Sequence, residues 1–234
     1  MNTSVSNTGR LLWAGLRALL VLTLVTGVVY PLAVTGVAQT LFHDKANGSE
    51  ISYDGKVVGS SLIGQQGYGL DYFQPRPADG LGRNSVNTQY RLILSGATNL
   101  SADNRKLIAS VEEAKARVVE DNSVPGYTVK PSQVPADAVT SSGSGLDPDI
   151  SPAYADLQIH RVAARNGLTV ARVRKLVDEH TQGRTLGFVG EPRVNVLELN
   201  IALRTLAAGG RRPRDLHASG ILSRGVNHSG GLVR

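Results

Sequence analysis

The stretch ALLVLTLVTGVVYPLAVTGVAQTL, residues 18–41, runs without a charged side chain through a chain of 234 residues that is otherwise polar. At 1.5 Å rise per residue its helix would reach about 36 Å, against a bilayer hydrocarbon core of about 30 Å. A buried core helix seldom needs that length, so the stretch reads as a transmembrane anchor. Arg10 and Arg17 precede it with no acidic residue before them, and His43, Asp44 and Lys45 follow. The positive-inside bias then places residues 1–17 in the cytoplasm and the chain after Phe42 beyond the cell (inner) membrane, as a single-pass protein.

A cleaved signal peptide is the competing reading, with Gly36-Val37-Ala38 as its small-x-small site and a released binding protein as its product. Signal h-regions span about 7–15 residues, which favours a retained anchor. Thr23, Gly27 and Pro31 recur every four residues on one helical face. Small residues there would let another transmembrane helix pack closely, although a lone anchor in lipid also tolerates Gly and Pro.

Residues 42–208 suffice for one domain with its own core, expected as α+β and extracytoplasmic. The chain has no cysteine, which removes disulfides, thiol catalysis and Cys-zinc sites. A pI of 9.8 invites a nucleic-acid reading, but residues 43–208 hold 18 basic and 18 acidic residues. The +6 comes from +2 before the anchor and +4 after residue 208. A nucleic-acid binder carries its basic stripe on the folded body, so that class is set aside. Residues 209–234, rich in Arg and Gly and without periodicity, read as a disordered tail.

Lys56-Val57-Val58 and Ser61-Leu62-Ile63 read as a short strand or strand pair, with Gly59 and Gly64 as breaks. Residues 67–87 read as irregular. Ser101 or Asp103 is expected to cap a helix to about Glu120, with Leu107, Ile108, Val111 and Val118 near one face. Ser123 to Pro135 is a connector. Ser151-Pro152 opens a helix through about Arg165 that stops at Asn166-Gly167. Thr169 caps the next, with Val170, Val173, Leu176 or Val177 and His180 on its apolar side. Gly183 to Gly190 is a glycine-punctuated turn or strand. Asn195 with Glu198 resembles a capping box, opening a helix to about Ala207.

Chemistry is sparse. Gly55-Lys56-Val57 lacks the hydroxyl that a phosphate-binding P-loop needs, and Asp44-Lys45-Ala46 departs from an Asp-Lys-Thr-Gly phosphorylation site. Ser144 in Gly143-Ser144-Gly145 could be a nucleophile, but Ser142 stands where the elbow motif wants glycine. Asp147 and Asp149, flanking Pro148, could form an acid/base pair or bind a cation, but an ordinary turn before the Ser151 cap is the favoured reading. His160 and His180 lack metal-ligand spacing. Glu191, Arg193 and Asn195 form the densest polar cluster, either facing a partner or pairing internally. An anchored hydrolase using Ser144, Asp147 and Asp149 therefore stands as an alternative function.

Several segments resemble one family. They are Tyr30-Pro31-Leu32-Ala33-Val34-Thr35-Gly36, Ala46-Asn47-Gly48-Ser49, Gly59-Ser60-Ser61-Leu62-Ile63-Gly64-Gln65, Tyr72-Phe73-Gln74-Pro75-Arg76-Pro77 and Ser95-Gly96-Ala97-Thr98-Asn99-Leu100. The most specific are the runs from Ser142 to Pro152 and from Leu186 to Asn200. Together, over about residues 10–207, they resemble the KdpC family, the C subunit of the bacterial Kdp potassium-transporting P-type ATPase. The resemblance implies a non-catalytic accessory subunit beside a potassium-channel-like subunit, a P-type ATPase subunit and a small single-span subunit. ATP and potassium would be handled by that complex, with no cofactor or metal held by this chain. It also implies a catalytic chaperone that raises the pump's ATP affinity through a Leu-Ser-Gly-Gly-like signature. Here Leu94, Ser95 and Gly96 match and Ala97 departs. Since ATP is cytoplasmic and Ser95 is expected outside, indirect coupling is the expectation.

Overall fold

A computed structural model describes residues 3–78 and 95–210. It opens on helix α1 (Thr3–Leu24), a widened turn over Val25–Val29, and α2 (Tyr30–Leu41). The helix therefore begins well before residue 18, because Leu11, Leu12, Trp13 and Leu16 extend the apolar surface and nothing before them breaks it. Its apolar part covers Asn7–Leu41, 35 residues, and is left uncovered by the other described residues. Pro31, second in α2, explains the wide turn. It has no N–H for the carbonyl of Gly27, and its ring would strike that carbonyl in a regular helix. A π turn gives the ring room, and Tyr30 N–H donates five residues back to Val25 O.

Gln39 and Asn47 exchange side-chain amide hydrogen bonds at 3.1 and 3.2 Å, bracing the end of α2 against the short α3 (His43–Ala46). Strands β1 (Glu50–Tyr53) and β2 (Lys56–Ser60) follow as an antiparallel hairpin. Asp54 and Gly55 turn it with φ of 53° and 73°, as a two-residue hairpin turn requires. The expected pairing with Ser61–Ile63 is thus corrected: those residues form a turn, and the partner strand lies upstream. Gly59, expected as a break, is paired within β2 opposite Ile51. A Cβ there would sit 2.8 Å from Leu197 Cδ2, so its bareness admits the last helix.

Helix α4 (Arg105–Asn122) is capped by Asn104, whose side chain accepts from Lys106 N. Neither expected cap serves, since Ser101 donates instead to Asp103 at 2.6 Å. Of its expected apolar face only Val118 is buried. Ser151 caps α5 (Pro152–Asn166), which Gly167 ends at φ 64°. Thr169 caps α6 (Val170–His180), and α7 (Val196–Gly210) closes the described chain. The expected tail beyond Gly210, and residues 79–87 of the irregular stretch, lie outside the described residues. Strands β3 (Asp149–Ile150), β4 (Thr181–Gln182) and β5 (Arg193–Asn195) form an antiparallel sheet with β5 central. The core gathers Val118, Tyr154, Ile159, Val162, Val173, Val177, Val194, Leu199 and Leu203 around Phe73.

Phe73 belongs to a segment without a strand, held by side chains. Asn200 accepts from Phe73 N at 2.8 Å and donates to Phe73 O at 3.0 Å. Gln158 does the same for Gln74, at 2.6 and 3.1 Å. Arg161, fully buried, donates to Leu70 O, Tyr72 O, Asn122 and Gln158. Burial lowers its pKa to about 10, so it keeps its charge at neutral pH. Backbone carbonyls and side-chain amides, with no carboxylate in the set, take up that charge.

Candidate interaction site

Of the sequence-predicted polar residues, Asp147, Asp149, Arg193 and Asn195 meet around β3, β5 and the start of α7. Asp147 Oδ1 accepts from Asp149 N at 3.0 Å, the local turn that short acidic residues favour. Its other oxygen accepts from Arg76 Nη1 at 2.9 Å, and Arg76 also reaches Thr140 O. Asp149 Oδ2 lies 3.1 Å from Arg193 Nε. Partial burial raises the Asp149 pKa; Arg193 opposes that shift and Asp147 adds to it. Pro148 O accepts from Val196 N at 3.1 Å, so the turn also satisfies the start of α7. Asn195 accepts from Glu198 N at 3.1 Å as the expected cap and donates to Ser61 O at 2.9 Å.

Ser144 lies in a tight turn. Its hydroxyl accepts from Leu146 N at 3.1 Å and shares a hydrogen bond with Ser142 at 3.2 Å. Its carbonyl receives Gly96 N at 2.8 Å and Ser95 Oγ at 3.3 Å. The structure therefore joins Ser95 and Gly96 to Ser144, a contact that sequence spacing did not reveal. Leu94 lies outside the described residues. The Gly96 amide, the donor a phosphate would need, is already engaged. His160 stacks on Tyr127 with centroids 3.7 Å apart, and His180 Nδ1 donates to Leu176 O at 2.8 Å, so each imidazole has its own structural contact.

Glu191 pairs with Arg184 at 2.7 Å across the loop between β4 and β5. Within that loop Leu186, Phe188 and Val189 project into solvent. Sequence reading registered the glycines and passed over the apolar residues between them; Leu-Gly-Phe flanked by turn residues was the available signal. Arg76 was quoted within a motif but given no role, although it neutralises Asp147. In the anchor, a Cβ built on Gly27 would lie 4.0 Å from Thr23 Cγ2, so these two small residues share a face, one turn before Pro31.

These parts, one long apolar helix braced to a mixed helix-and-sheet domain, have the make-up of a single-helix membrane-anchored protein. The chain belongs to the KdpC family: the family model described as K+-transporting ATPase, c chain, matches residues 12–205. A protein of Streptomyces avermitilis named potassium-transporting ATPase KdpC subunit is 72% identical over 221 residues, covering 89% of this chain and 99% of the relative. Its namesake in Streptomyces coelicolor is 69% identical over 223 residues, 90% of this chain and 99% of the relative. That of Mycobacterium tuberculosis is 47% identical over 197 residues, 84% and 99% respectively.

Proposed function

We propose that this chain is a non-catalytic accessory subunit of an ATP-driven potassium uptake complex, holding a channel-like subunit and an ATP-hydrolysing subunit together. The observation that carries this reading is the pairing pattern. Asp147, Asp149, Arg193 and Glu191 each have an internal counter-charge, and Ser144 is engaged in its turn. A hydrolytic centre would want a base within reach of its nucleophile instead. The family and the uncovered helix supply the context: a K+-transporting ATPase chain fixed in a bilayer.

In this reading the N-terminus is cytoplasmic and the domain extracytoplasmic, from the charges flanking the helix. Thr23, Gly27 and Pro31 face a neighbouring membrane helix, that of the small single-span subunit or of the channel-like one. Ser144, Asp147, Asp149, Glu191, Arg193 and Asn195 line the partner-facing side of the domain. Any rise in the pump's ATP affinity is indirect, through conformation, because the Gly96 amide is spent on Ser144. The test is purification of the tagged full chain in mild detergent from cells expressing the whole complex. Recovery with the pump and channel-like subunits is expected. A chain that purifies alone, and whose deletion leaves growth on scarce potassium intact, defeats the proposal.

A further inference from the structure

The loop between β4 and β5 is built to hold apolar side chains in water. Thr185 and Val189 exchange backbone hydrogen bonds at 2.9 Å in both directions, leaving Leu186, Gly187 and Phe188 as the tip. Leu186 is 81% exposed, Phe188 73% and Val189 49%. Leu186 also holds φ at 55°, a left-handed conformation that a side chain with a Cβ disfavours. Such strain persists where the surroundings impose it, and it gathers at working sites. Among the described residues, no packing contact accounts for a leucine and a phenylalanine at this place. Single exposed apolar residues are ordinary; a braced pair, with Leu186 held in a strained conformation, is not.

The occupant is narrowed by charge. Arg184 is bound by Glu191 and Arg193 by Asp149, so both cations at the loop's base are neutralised. A segment that lies on a bilayer surface uses unpaired Lys or Arg against anionic headgroups. An apolar tip with a neutral collar suits a preformed apolar pocket in a protein. We infer that Leu186 and Phe188 form a plug seated in a pocket of another subunit of the transport complex, with the Arg184–Glu191 pair closing its rim. This rests on the subunit reading and adds the point of attachment.

The experiment compares full-length wild type with Leu186→Asp/Phe188→Asp in the same detergent pull-down. Recovery of partner subunits should fall by about ten-fold or more, as for a central interface anchor, while circular dichroism and the thermal melt stay unchanged. Leu186→Met/Phe188→Leu should retain recovery. Because the chain has no cysteine, Phe188→Cys carrying a maleimide benzophenone gives a second readout independent of stability. Photolysis in the membrane should yield an adduct with a protein subunit. A lipid adduct alone, or undiminished recovery of the aspartate variant beside a wild type that co-purifies, overturns the plug and leaves the subunit reading standing. A wild type that recovers no partner overturns both.

Discussion

Phe73 and Gln74 each receive a donor and an acceptor from one side-chain amide, the pattern a neighbouring strand would otherwise supply. Removing such a partner strands a buried N–H and a buried C=O together. Asn200→Ala should therefore cost about 2–4 kcal/mol, read as a lower urea midpoint of the detergent-solubilised chain with little change in slope. These residues were not legible in advance. Asn200 lies 127 positions from Phe73, and an amide in a helix looks the same in sequence whether it faces water or clasps a loop. The caps Ser151, Thr169 and Asn195 were legible because donor and acceptor sit within three residues of each other. The charged candidates fell between: Asp147 and Asp149 were read as turn residues, which they are, while their arginine partners come from distant parts of the chain.

The elements meet where glycine lets backbones approach. Gly64 N donates to Leu146 O at 2.8 Å, and a Cβ on Gly64 would fall 2.5 Å from Asp147 O. That oxygen belongs to a backbone fixed by Arg76 and by β3, so it cannot yield cheaply. Gly64→Ala should lower stability by about 1–3 kcal/mol. Gly143→Ala, with nothing within 4 Å, should stay within about 0.5 kcal/mol. Paired thermal melts check both. The hairpin shows how far element reading goes without contacts. Asp54-Gly55 is a strong turn signal, yet the apolar run Val57-Val58 drew the pairing one strand too late. The true partner, Glu50–Tyr53, alternates polar and apolar as a half-buried strand does, with Ile51 and Tyr53 more buried than their neighbours. Gly59 and Gly64 look alike in sequence, and only the packing of α7 and the Asp147 turn separates their roles.

For the molecule as a whole, the long apolar helix was legible from composition alone, and its extension to Thr3 was not, because charge at Arg10 and Arg17 masked a continuous helix. The proposed orientation follows from those same charges. Glu112, exposed on α4, offers a position for a single introduced cysteine in a chain that has none. Glu112→Cys in intact cells should react with a membrane-impermeant maleimide; reaction only after the cells are broken would reverse the topology. The link between rod and domain has a mechanical consequence. Gln39 grips Asn47, Ser49 meets Ser61, and Ser61 meets Asn195 at the root of the sheet. These bonds tie the rod to the domain at three successive points, so that the two can work as a lever arm. A change in the rod's tilt would then reach the sheet through Asn47, Ser61 and Asn195.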